Sequence, residues 1–93
     1  MNQDRQLSWT RKFKQDYKLA MKQNKDMALI DECIRLLAGR KKLPDHYRDH
    51  ALTGNWAGHR SCHVLPDWIL IYRIEANDLI LVLARTGSHS DIY

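Results

Sequence analysis

Residues 68–84 read WILIYRIEANDLILVLA: two β-branched and aromatic runs, Trp68 to Ile74 and Leu79 to Ala84, separated by the connection Glu75-Ala76-Asn77-Asp78. Such runs are strands, and a polar connection of this length joins them as an antiparallel hairpin. Trp68 and Tyr72 fall on one side of the first strand, which marks a packed face. Upstream, the strand-rich half begins at Gly54. Between there and Val64, alternation puts Arg60, Cys62 and Val64 on one face and His59, Ser61 and His63 on the other. Leu65-Pro66-Asp67 makes the turn between these two strands, with Asp67 after Pro66 a natural turn former. Three strands thus meander antiparallel, ending at Arg85 and the polar tail TGSHSDIY.

The first half has a different period. Residues 5–9 alternate, with Leu7 and Trp9 on one side of a short, half-buried strand. Thr10 then caps a helix whose apolar stripe is Phe13, Tyr17, Ala20 and Met21, ending near Asn24. Asp26 caps a second helix carrying Leu29, Ile30, Cys33, Ile34, Leu36 and Leu37, and Gly39 stops it. A short turn makes the two an antiparallel pair. The segment KKLPDHYRDHALT, residues 41–53, has no clean period and reads as a loop; a connection of this length in a compact domain is usually functional or disordered. The expected fold is α+β, in the order β-α-α-β-β-β, with a twisted antiparallel sheet packed on the helix pair.

Ninety-three residues make one domain, 1–93, with a modest core. Lys and Arg outnumber Asp and Glu by 15 to 11, and seven basic residues (Arg5, Arg11, Lys12, Lys14, Lys18, Lys22, Lys25) lie in the first 25 positions. Such a field attracts phosphate backbones or an acidic protein, although a charged helix face also serves solubility alone. Cys33 and Cys62 lie far apart, in positions that read as a helix core and a strand, and are expected to be free thiols of a reducing compartment. No apolar run approaches the roughly 18 residues that span a bilayer, and MNQDRQLSW lacks the apolar stretch of a signal peptide. These features predict a cytoplasmic protein with no membrane partner.

Every histidine lies at position 46 or beyond, and His50, His63, Asp67, Arg85 and His89 each sit at the edge of a strand or turn. Imidazole exchanges protons near neutral pH, and the guanidinium fork carries a permanent charge matched to phosphate oxygens. Together they suit metal-independent phosphodiester cleavage, with RNA the expected substrate. His50 or His63 is a candidate base, His89 or Asp67 a candidate acid, and Arg85 a candidate for charge at phosphorus. No cofactor is needed. A metal site at His59-Arg60-Ser61-Cys62-His63 is disfavoured, because strand geometry separates His59 and His63 by about 13 Å, beyond sharing one ion at about 2.0–2.1 Å. His46 and His59 are expected at the surface. Tyr93, at the terminus, is the best candidate to stack on an unpaired base.

The stretch LPDHYRDHALTGNWAGHRSCHVLPDWILIYRI (43–74) and the ending LARTGSHSDIY (83–93) resemble the RelE/ParE superfamily of type II toxins, and within it the YafQ-type messenger-RNA interferases. The resemblance implies one strand, two helices and a twisted antiparallel sheet. It also implies cleavage of messenger RNA in the ribosomal A site and control by a cognate antitoxin. Operator DNA would be bound only through the toxin–antitoxin complex. Carried over position by position, it places the active site at His50, His63, Asp67, Arg85 and His89, with Tyr93 as the terminal aromatic. The implied roles are Arg85 for phosphate charge, His50 as base, Asp67 or His89 as acid, and His63 assisting. Arg60, Lys14, Lys18 and Lys22 are the expected contacts to RNA, the 70S ribosome included. Two positions depart from the family pattern: Ser61, where an acidic residue is common, and His59, where an aromatic is. The alternative is a non-catalytic, ParE-like or RNA-binding module acting by binding a protein or RNA target; the histidines and Arg85 speak against it.

Overall fold

Thr10 joins the first helix to the sheet: its hydroxyl accepts from the Phe13 N–H at 3.0 Å and donates to the Ala84 carbonyl at 2.8 Å, so one side chain caps a helix and ties it to a strand. In the computed structural model, which describes residues 4–93, the chain runs β1 (Gln6–Trp9), α1 (Arg11–Lys22), α2 (Met27–Ala38), β2 (His50–Ala51), β3 (Arg60–Leu65), β4 (Trp68–Glu75), β5 (Ile80–Gly87) and α3 (His89–Ile92). Part of the N-terminal stretch read as free of a leader, residues 1–3, lies outside the described residues. The predicted caps Asp26 and Gly39 bound α2.

The five strands form one sheet in the order β1-β5-β4-β3-β2. Its two hairpins are antiparallel as expected, but β1 joins β5 in parallel, with Leu7 opposite Leu81, so the sheet is mixed rather than wholly antiparallel. The helix pair intervenes between β1 and the meander, which is what a parallel pairing requires. The register between β4 and β5 slips after Ile71, where Arg85 is its partner and Leu83 is the partner of Tyr72. This bulge leaves Ala84 as an extra residue beside the site.

One face of the sheet carries Cys62, Val64, Trp68, Leu70, Tyr72, Leu81 and Leu83, packed against Phe13, Ala20, Ile30, Cys33 and Leu37 of the helices. Both cysteines are free thiols in this core. The opposite face has a smaller apolar cluster: Ile69, Ile71 and Ala84, with the partly buried Leu52, Trp56 and Ile92 packed against them. The hairpin connection is held by charge, since Asp78 accepts from Arg5 at 2.6 Å and also pairs with Arg40.

Four elements differ from the sequence expectation. The 41–53 segment holds a 3₁₀ turn, Asp45–Tyr47, and the short strand β2. The strand expected from Gly54 starts only at Arg60, because Gly54–Trp56 is another 3₁₀ turn and Gly54 and Gly58 have positive φ. The polar tail is the end of β5 followed by a helical turn. There Ser88 accepts from the Asp91 N–H at 3.2 Å while the Asp91 carboxylate accepts from the Ser88 N–H, a capping box. Leu7 and Trp9 are 41% and 54% exposed, so β1 is an open edge rather than a half-buried strand.

Candidate active site

His50 stands opposite Ser61, and Ser61 opposite Ile71, so His50, Ser61 and His63 share the sheet face of the smaller apolar cluster. α3 then brings His89 and Tyr93 to the same place, one turn apart. The imidazoles form a row: the ring of His63 lies 6.1 Å from that of His50 and 5.5 Å from that of His89, and the His89 ring lies 6.0 Å from Tyr93. Thus three of the predicted catalytic residues and the predicted stacking aromatic converge. Tyr93 is 58% exposed, which leaves its ring accessible.

His50 is fixed from its own neighbours. Its Nδ1 lies 2.9 Å from the Arg48 carbonyl. A carbonyl only accepts, so Nδ1 carries a proton, which leaves Nε2 as the nitrogen able to act as acceptor. Asp49 anchors the backbone just before it, accepting from the Tyr72 hydroxyl at 2.5 Å and from Arg60 at 3.2 Å. Tyr72 is pushed well above the usual phenol range, first by burial and then by its bond to Asp49. Arg60, expected to touch RNA, is half-exposed and engaged by Asp49.

His63 is held below the ordinary imidazole value, chiefly by burial and next by the nearby His89, with His50 and Arg48 adding to the effect. Its Nδ1 is buried with no hydrogen-bond partner among the described residues, while the Tyr47 backbone opposes the depression. His63 and His89 open into a hollow of about 630 Å³ shared with His46, Arg48 and Pro66.

Asp67 and Arg85 line a neighbouring hollow of about 400 Å³, with Lys12, Asp16 and Ser88. Arg85 is not free there. Its Nε donates to Asp16 at 2.7 Å, and the same carboxylate accepts from the Thr86 N–H at 3.1 Å. Beside them Lys25 sits 5.5 Å above the Trp68 ring. His59 lies away from the row, edge-on to Trp56 and 3.4 Å from Arg73. Sequence reasoning missed Arg48, Asp49 and Asp16; Arg48 meets its near neighbours Asp45 and His50, while Asp49 and Asp16 are joined to Arg60, Tyr72 and Arg85 from distant parts of the chain, and only the position of Asp49 and Arg48 beside His50 hinted at them.

Lys14 and Lys18 rim a separate apolar groove of about 590 Å³ formed by Leu7, Trp9, Tyr17 and Ile34. Lys22 is exposed at the end of α1. No helix among the described residues is long and apolar enough to cross a membrane.

A mixed sheet on a helix pair, with an imidazole row on its other face, defines the chain as a small RelE-like α+β domain. Residues 5–93 match the family described as the bacterial toxin of type II toxin-antitoxin system, YafQ. The chain belongs to that family. It is 40% identical over 90 residues to the mRNA interferase toxin YafQ of Escherichia coli K12, covering 96% of each chain. It resembles the crystal structure of YafQ from E. coli BL21(DE3) with a TM-score of 0.90 at 39% identity, covering 96% of this chain and 98% of that one. In the E. coli DinJ–YafQ toxin–antitoxin complex the similarity is 0.88 at 40% identity, over 97% and 98%.

Proposed function

We propose that this chain, as one domain over 1–93, is an endoribonuclease toxin of the cytoplasm that cleaves messenger RNA in the A site of the 70S ribosome by acid–base catalysis. No metal or cofactor takes part. The observation that carries this proposal is the row His50–His63–His89, with ring spacings of 6.1 and 5.5 Å. His50 Nε2 takes the proton of the 2′-hydroxyl, the 2′-oxygen attacks phosphorus, and the bond to the 5′-oxygen breaks as that oxygen takes a proton from His89. His63, neutral at physiological pH and lying between them, assists by hydrogen bonding. Asp67 is the alternative acid from the adjoining hollow, where Arg85 faces the RNA backbone. Tyr93 stacks on a base of the codon, and Arg60, Lys14, Lys18 and Lys22 supply the wider cationic field for ribosomal RNA.

The curated E. coli relatives bearing the name mRNA interferase toxin support the substrate, and the DinJ–YafQ complex supports an antitoxin partner. A cognate antitoxin would set an acidic amphipathic segment in the groove of Leu7, Trp9 and Tyr17 under Lys14 and Lys18, and would carry the complex to its operator DNA.

Mapping 5′ ends across the transcriptome minutes after induction tests the function. Breaks at a fixed position within codons of translated messages, absent with His89→Ala, are expected; arrest without breaks would refute cleavage. Purified protein that cut naked RNA as fast as programmed ribosomes would refute ribosome dependence, and loss of cutting in a chelator, regained with added metal, would refute the metal-free mechanism.

A further inference from the structure

We propose that Arg48 supplies the positive charge at the scissile phosphate. This rests on the phosphodiester cleavage proposed above and assigns one of its catalytic groups. As the 2′-oxygen attacks and the 5′-oxygen departs, charge gathers on the non-bridging phosphoryl oxygens, and a cation there must be unneutralised and close to both proton-transfer groups.

The arginines around the site divide sharply by this requirement. Arg85 donates to Asp16 through Nε and one terminal nitrogen, with the two side chains only 17% and 12% exposed, so its charge is balanced at short range by a carboxylate. Arg60 is paired with Asp49. Arg48 is exposed, has no carboxylate within ion-pair distance among the described residues, and lines the hollow that His63 and His89 open into. Its backbone is left-handed, φ 49° and ψ 45°, a conformation that costs a non-glycine residue free energy. Two contacts hold it there: its N–H donates to the Asp45 carbonyl at 3.0 Å, and the next residue is clamped by Tyr72 and Arg60. The strained backbone is put to use. The same residue's carbonyl orients His50 at 2.9 Å, so one position holds the proposed base and puts a guanidinium without a carboxylate partner on the hollow that His89 also lines.

Single-turnover cleavage of a message on programmed ribosomes tests this. Arg48→Asn keeps a residue that tolerates left-handed backbone, so it is the variant of choice, with Arg48→Ala beside it. The cleavage step should fall about 100-fold, while occupancy on a message with a 2′-deoxy nucleotide at the cut site changes little. Arg48→Lys should recover part of the loss, because it restores charge without the fork. Wild-type cleavage rates in Arg48→Asn would overturn the assignment. If the unaltered protein cut no message, the nuclease function would fail. Arg48 would then be judged by titrating inorganic phosphate against the ring signals of His63 and His89. Shifts lost in Arg48→Asn but kept in Arg85→Lys would sustain the phosphate site, and shifts kept in Arg48→Asn would overturn it.

Discussion

Tyr72→Phe deletes one oxygen and leaves the ring, so it isolates the bond that holds Asp49. The phenol is buried, 1% exposed, and its hydroxyl donates to the Asp49 carboxylate at 2.5 Å. A hydrogen bond to a charged group contributes roughly 1.5–3 kcal/mol. Two features place this one at the low end. Asp49 keeps Arg60 at 3.2 Å, and its side chain is 26% exposed, so water replaces part of what is lost. The expected destabilisation is about 1.5 kcal/mol. For a domain of this size that lowers Tm by roughly 6–12 °C. Calorimetry or far-UV melting of the two proteins at pH 7 measures it. A drop of less than about 2 °C would show that the Asp49 clamp contributes little, and the account of how His50 is positioned would fall with it.

Other consequences follow from the same contacts. Asp16→Asn leaves Arg85 nearly buried opposite a neutral amide, and its urea midpoint should report a loss of about 2–3 kcal/mol; an unchanged midpoint would mean the pair is dispensable. His63 is depressed in the folded state, so on acidification the unfolded chain takes the proton first: stability contributed by this residue is present above the unfolded value near 6.5 and declines as pH falls below it. His63→Gln should therefore flatten the fall in stability between about pH 6.5 and 5, and an identical slope would contradict this. Ser88→Ala removes the α3 cap, costing about 1 kcal/mol locally; amide exchange at Tyr93 should quicken while β4 is unaffected. Trp9→Ala, at a residue 54% exposed, should leave Tm unchanged yet weaken binding of the cognate antitoxin by about 2 kcal/mol, and unaltered affinity would remove the groove as its seat.

The hairpin of residues 68–84 and the two helices were legible because each carries its own period and punctuation: Thr10, Asp26 and Gly39 bound the helices as their chemistry requires. β1 was harder. Its alternation marks Leu7 and Trp9 as one face, but nothing local says that the strand lies parallel to β5 or that this face stays open. β2 was invisible, since two residues cannot display a period and their pairing with Ser61 and Arg60 is a tertiary fact. The capping box at Ser88 and Asp91 was present as a short motif, yet the polar character of its residues masked the helical turn. Of the site, the residue types that carry proton chemistry were recognisable, and their neighbours were not. Asp16 meets Arg85 across 69 positions and Asp49 meets Tyr72 across 23, distances over which composition holds no signal.

Those long-range partners divide the labour of the site. The sheet sets His50 and His63 by register, α3 adds His89 and Tyr93 through a local cap, and the carboxylates of Asp49 and Asp16 hold the connecting pieces in place. Both carboxylates consume an arginine in doing so, which turns a cation-rich chain into one with few free charges at the row itself. Cationic composition is therefore a poor guide to where phosphate charge is met. On the proposed function, the basic residues of α1 act by long-range attraction, which falls with salt, whereas the proposed Arg48 contact to phosphate acts at short range and is screened far less. Salt should then weaken the proposed ribosome association more than the rate of the cleavage step.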